Sequence, residues 1–182
     1  MSMRKCVMVL VLVAGMAHET ALAASMEGPK LGVPATSRQI AERDISVFPD
    51  GTGLPLGTGT VAQGQVVYET QCAFCHGPKG IGGSAEELVG RGRLDGPTPD
   101  KSVGNYWPYA TTIFDFVRRS MPLHAPGSLS DGQVYAVTAY LLYLNGLIAA
   151  DAVLSSENLS QVVMPNRNGF VQVWPETAQS SN

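Results

Sequence analysis

Apolar positions gather in a few stretches separated by long runs rich in glycine and proline. The clearest stretch covers Ser130 to Asn145, where Val134, Val137, Leu141 and Leu144 recur at three and four residues, the period of an amphipathic helix. Ser130 with Gln133 forms a capping box at its start, and Gly146 suits its C-terminal end. Ile113, Phe114, Phe116 and Val117 show near-helical spacing in a second stretch, which Pro122 ends. A third helix is predicted over Val61 to Cys75, with Thr60 as its N-cap. On it Gly64 and Tyr68 share a face, which is expected to cross the small-residue face of Ala136, Ala139 and Tyr140. Shorter helices are expected over Thr36 to Arg43 and Ser155 to Val163, with a turn at Pro49-Asp50-Gly51 and an extended surface tail over residues 164–182. The pattern predicts an all-α domain of three to four helices and long loops, without internal repeats.

The N-terminus reads differently. Arg4 and Lys5 precede an apolar run from Cys6 to Ala17, followed by Ala21 and Ala23 on either side of Leu22, the layout of a secretory signal peptide. The run is shorter than the roughly 20 residues that span a bilayer as a helix, so a retained anchor is the weaker alternative. The expected organisation is a signal peptide at 1–23, a wrapping arm at 24–59, the main domain at 60–147 and a C-terminal extension at 148–182. Export implies a periplasmic protein with no stable membrane insertion after cleavage.

Charge removes one class of function. Twelve Lys and Arg against 15 Asp and Glu give a net charge of -3, so no broad basic field draws in nucleic acid. The 20 glycines and 12 prolines exceed ordinary usage and call for something other than regular structure to complete the core.

The chemistry lies in Cys72-Ala73-Phe74-Cys75-His76, the C-x-x-C-H pattern of c-type haem attachment. Two thiols at this spacing reach the two vinyl groups on one haem edge, and the adjoining imidazole reaches the iron. A zinc site would need a second ligand pair, which the exported chain cannot supply from cysteine; its only other histidine is His124. A redox dithiol would want a βαβ context, and the pattern contains none. A covalently bound haem c also explains the composition, because the macrocycle supplies core that a loop-rich chain lacks.

His76 occupies one axial position of the iron, and the other decides between electron transfer and chemistry at the metal. Met121, on the loop after the second helix and stiffened by Pro122, is the expected sixth ligand. Met164 has the same Met-Pro pairing and is its rival, His124 would make a bis-His site, and core packing is the ordinary fate of either methionine. Trp107 and Tyr109 carry polar tips suited to a haem propionate or, equally, to plain packing. Arg118, Arg119 and His124 are candidates for the rim of a docking face, with simple solvated charge as the alternative.

Three segments, FPDGTGLPLGTGTVAQGQVVYETQCAFCHG, VGNYWPYATTIFDFVRRSMPLHAPGSLSDGQVYAVTAYLLYLNG and VMPNRNGF, resemble a known family. The chain is similar to class I c-type cytochromes, and more closely to the cytochrome subunits of bacterial molybdenum sulfite and sulfane dehydrogenases. The resemblance implies the small class I cytochrome c fold around one covalent haem, held by Cys72 and Cys75, with His76 and Met121 on iron. It further implies a molybdenum-cofactor dehydrogenase subunit as electron donor in sulfur oxidation, and a downstream cytochrome c or terminal oxidase as acceptor. Relatives of the sulfane type are often longer with a second haem domain, so a one-haem sulfite dehydrogenase partner fits this length better. Many relatives also place a proline carbonyl on the motif histidine; here Ser84 to Glu87 fills that region. The competing functions are a haem enzyme acting on a sulfur compound or peroxide at a labile sixth position, and a sensor or assembly component with structural haem.

Overall fold

A computed structural model of the protein describes residues 31–90, 92–99, 101–171 and 173. The expected signal peptide, with Cys6, and Met26 lie outside the described residues, as does most of the end of the chain. The chain divides between Arg43 and Asp44 into two units.

In the first unit, α1 (Ser37–Ala41) is started by Thr36, whose hydroxyl accepts from the Gln39 N–H while the Gln39 side chain accepts from Thr36 N at 2.9 Å. Arg38 and Glu42 pair one turn apart at 2.7 Å on its surface.

The second unit runs β1 (Thr58–Thr60), α2 (Val61–Gln71), α3 (Ala73–His76), α4 (Ala110–Ser120), α5 (Asp131–Leu144) and β2 (Val153–Ser155), with 3-10 turns at Pro78–Gly80 and Leu159–Gln161. Thr60 both ends β1 and caps α2: its hydroxyl accepts from Gln63 N at 3.1 Å, and Gln63 Oε1 accepts from Thr60 N at 3.0 Å. The helix expected to reach Cys75 breaks at Cys72, whose φ of -119° leaves the helical range, so the cysteine motif occupies a turn of its own.

Helix α5 is the axis of the unit. Ser130 and Gln133 cap it reciprocally, as the pattern predicts, and Gly146 follows with φ +72°. Its burial differs from the expected stripe, because every residue from Val134 to Leu142 is buried. The reason is that α2, α4 and both strands pack around it. The α2 crossing follows the predicted face: a Cβ on Gly64 would lie 1.8 Å from the Ala136 carbonyl oxygen, and the Tyr68 and Tyr140 rings sit 5.4 Å apart. From α4, Ile113, Phe114 and Val117 face the core, with Phe114 against Tyr135 at 4.5 Å between ring centres. Phe116 points outward.

Beyond α5 the structure departs from expectation. The helix expected over Ser155 to Val163 is absent; β2 pairs antiparallel with β1, Thr58 opposite Ser155 and Thr60 opposite Val153, and one 3-10 turn follows. The pairing partner lies almost a hundred residues upstream, beyond the reach of a local pattern. Gly59 lets this ribbon lie on α5, since a Cβ there would approach Ala136 N to 2.1 Å. The expected surface tail likewise begins in the interior: Met164 is 1% exposed and joins the core with Leu154 and Leu159.

Residues 44–57 lie along α4 and α5. Val47 N donates to Asp115 Oδ1 at 2.9 Å, and the Tyr135 hydroxyl donates to the Pro55 carbonyl at 2.8 Å.

Candidate functional site

Cys72 closes α2 and the remaining motif residues form α3, so both cysteines and His76 sit in successive turns of one short stretch. Cys72 is partly buried, Cys75 is exposed, and both are free thiols. Phe74 between them is 95% exposed, which turns the apolar side chain outward and away from the core. Burial, reinforced by the neighbouring Cys75, pushes the Cys72 thiol up to about 11.

The chain leaving His76 folds straight back on the motif. Gly77 takes φ +77°, and a Cβ there would meet the Ile81 carbonyl oxygen at 1.9 Å. Gly83 is equally tight, 2.1 Å from the Cys75 carbonyl oxygen by the same test. Ala85 N donates to that carbonyl at 2.8 Å. Beneath the turn, the Tyr68 hydroxyl donates to the Gly77 carbonyl at 2.9 Å, and its burial, then the nearby Cys72, push the phenol up to about 12.

This return of the loop sets the histidine. His76 Nδ1 lies 2.7 Å from the Glu86 carbonyl oxygen. A carbonyl can only accept, so Nδ1 carries the proton and Nε2 keeps the lone pair a metal requires. The bond falls within the Ser84 to Glu87 region, and the carbonyl is that of Glu86.

Met121 ends α4, its N–H donating to the Val117 carbonyl at 3.0 Å while its own backbone turns extended. Cys72, Trp107 and Met121 are all partly buried and border the same core cluster. Met164 lies inside that cluster and His124 is exposed. Trp107 meets Phe116 edge-on at 5.6 Å, and Tyr109 lies beneath the Arg167 guanidinium at 5.2 Å. Arg118 and Arg119 are engaged within the chain: Arg118 pairs with Asp131 at 3.1 Å and donates to the Ile45 carbonyl, while Arg119 pairs with Asp115 at 2.8 Å and donates to Ser46. Their charge holds residues 45 and 46 onto α4.

Two free thiols, an imidazole with its outer nitrogen already bonded and a partly buried thioether are a donor set that fits haem c. The model of the family described as cytochrome C oxidase, cbb3-type, subunit III matches residues 59–141, which contain this set. A crystal structure of the sulfane dehydrogenase SoxCD from Paracoccus pantotrophus is similar at 44% identity with a TM-score of 0.73, over 79% of this chain and 72% of that one. The chain belongs to the c-type cytochromes. The cytochrome therefore carries covalently bound haem c with iron. It is also 37% identical over 90 residues to a thiosulfate dehydrogenase of Stutzerimonas stutzeri, covering 48% of this chain and spanning 28% of the relative's length. Both of these relatives are named as dehydrogenases of sulfur compounds.

The side chains with distinctive chemistry are visible in the sequence, and the groups that contact them are not. Glu86 contributes a backbone oxygen, which any residue offers, and the spacing of Tyr68 announces a packing face and not the partner of its hydroxyl. Spacing past His76 was the one available signal for the carbonyl.

Proposed function

We propose that this chain is a periplasmic mono-haem cytochrome of class I that takes single electrons from a molybdenum sulfite or sulfane dehydrogenase subunit and passes them to a downstream cytochrome c or oxidase. The observation that carries the reading is the 2.7 Å contact between His76 Nδ1 and the Glu86 carbonyl, placed behind a C-x-x-C-H motif in a chain similar to a sulfane dehydrogenase structure. In this reading Cys72 and Cys75 would hold the haem, His76 and Met121 would ligate its iron, and Trp107 and Tyr109 would border the cofactor. Haem c supplies a reversible one-electron couple when bound.

The residues of the chain fix the conditions of that couple. Glu86 holds the imidazole in one tautomer and orientation, strengthening it as a donor. Met121, partly buried at the end of α4, offers a soft thioether that favours the reduced iron. Tyr68 holds the Gly77 turn, and the glycine-rich return of residues 77–85 folds back on the motif through the bond from Ala85 N to the Cys75 carbonyl. Export through residues 1–23 supplies the compartment where thioether attachment occurs.

The test is the absorption spectrum of the holoprotein before and after carbon monoxide. Wild type is expected to ignore the gas, and Met121→Ala to lose the thioether-to-iron band and bind it. Reduction by a sulfite- or sulfane-driven molybdenum subunit checks the donor, and failure of that transfer defeats this assignment.

The match to a thiosulfate dehydrogenase favours a second reading, in which the sixth position is labile and a sulfur compound is oxidised at the iron. Ready binding of carbon monoxide by wild type, with direct reduction by thiosulfate, would establish it in place of the first.

A further inference from the structure

The loop that carries the Glu86 carbonyl has a second anchorage. Asn145 caps α5 and is only 6% exposed, so its amide must find partners within the fold. It finds three: Nδ2 donates to the Leu141 carbonyl at 2.8 Å and to the Leu88 carbonyl at 3.1 Å, while Oδ1 accepts from Gly90 N at 3.4 Å. Two carbonyls on one side and an N–H on the other fix which way the amide faces. Gly104 presses on it from a third direction, because a Cβ there would stand 2.1 Å from Oδ1. The Asn145 amide is thus enclosed by the last turn of α5, residues 88–90 and Gly104.

Those residues directly continue the segment that meets His76. Ala85 is tied to the Cys75 carbonyl at 2.8 Å, and Leu88 N donates to the Gly80 carbonyl at 2.8 Å. Between these ties stands Glu86, whose carbonyl must face the imidazole. Its side chain is exposed and supplies no anchorage, so the direction of the carbonyl is decided by its neighbours. From α5, Asn145 fixes the downstream end, beside the Ser102 hydroxyl that donates to the Gly90 carbonyl at 3.2 Å, and it lies just past the segment 59–141 that the family model matches.

We propose that Asn145 is a positioning residue for the proximal histidine: by clamping Leu88 and Gly90 to the end of α5, it holds the Glu86 carbonyl on His76 Nδ1 and so sets how strongly the imidazole donates to iron. The inference rests on haem attachment with His76 as ligand, and is independent of the sixth ligand and the electron partner. Weakening the carbonyl contact makes the imidazole a poorer donor to ferric iron, so the reduction potential rises.

The experiment compares holoprotein variants by spectroelectrochemical titration and by exchange of the His76 Nδ1 proton, followed by NMR. Asn145→Leu keeps the approximate shape of the side chain and deletes all three bonds. It is expected to shift the potential upward and to speed exchange of the Nδ1 proton. Gly104→Ala, which forces the amide aside with Asn145 intact, should move both readouts in the same direction. Tyr135→Phe removes a hydrogen bond from the same helix at a distance from the loop, and should lower stability while leaving both readouts at wild-type values. In wild type, the Asn145 side-chain amide protons and the His76 Nδ1 proton should exchange together, which tests the coupling even if the variants do not fold. An unchanged potential and exchange rate in folded Asn145→Leu, or unrelated exchange of the two groups in wild type, overturns the proposal. Carbon monoxide binding by wild type would instead overturn the carrier reading and leave this one standing.

Discussion

The phenol of Tyr68 on α2 reaches across the motif to donate to the Gly77 carbonyl at 2.9 Å, tying the helix before the cysteines to the turn after the histidine. Tyr68 is 1% exposed and Gly77 is buried, so the bond lies away from water. Tyr68→Phe keeps the packing and leaves that oxygen only the longer bond from Gly80 N at 3.3 Å, at a cost of about 0.5–1.5 kcal/mol. Chemical denaturation of the holoprotein measures the loss, and an unchanged midpoint would show that the bond contributes nothing.

Gly64→Ala is expected to be more severe. Its Cβ would fall 1.8 Å from the Ala136 carbonyl oxygen and 2.5 Å from the carbonyl carbon, both backbone atoms that cannot rotate away. Helices α2 and α5 would have to separate, costing at least about 3 kcal/mol. Thermal melting and the yield of haem-loaded protein would report it, and a variant with wild-type melting would contradict the close crossing.

The two methionines should part company. Met164 is enclosed in the core, so Met164→Ala leaves a cavity costing about 2–5 kcal/mol without altering the visible spectrum. Met121 is partly buried, and Met121→Ala should alter the spectrum with a smaller loss of stability. Loss of the thioether band in Met164→Ala instead would exchange their roles.

Alkaline pH should unfold the domain in a defined window. Burial first, and nearby charge second, push both Tyr68 and Tyr135 up to about 12 from the usual 10.0. Folding keeps these groups protonated, so their contribution is fully present below pH 10.0 and is lost as pH rises through about 12. In the haem-free chain Cys72 adds a loss that begins near pH 9.0 and runs through about 11. Tyrosinate absorbance should show these two phenols ionising late and together with loss of helix. Full ionisation near pH 10 with the fold intact would refute the assignment.

Much of this architecture was legible, for local reasons. The capping box of Ser130 with Gln133 and the N-cap at Thr60 announce helix starts because the bonds span only three residues. The Gly64 and Tyr68 face met Ala136 and Tyr140 because glycine on a helix face permits close approach. What failed depended on distant partners: Val153 to Ser155 became a strand by pairing with β1, and Met164 entered the core through contacts no local window contains. At the site, thiols and imidazole declare themselves by chemical type. The Glu86 carbonyl and the Asn145 clamp do not, since one is backbone and the other an ordinary helix-ending residue.

The β1–β2 ribbon also bears on where this protein can be cut. Strand β1 enters α2 directly at Thr60, and β2 returns after α5 to lie beside it, carrying Leu154 into the interior ahead of Leu159 and Met164. A chain trimmed to residues 59–141 would keep the cysteines and the histidine and lose β2 with these three core side chains. Recombination or fusion joining such a unit to another protein would therefore have to carry the returning strand with it. The heritable module is longer than its signature.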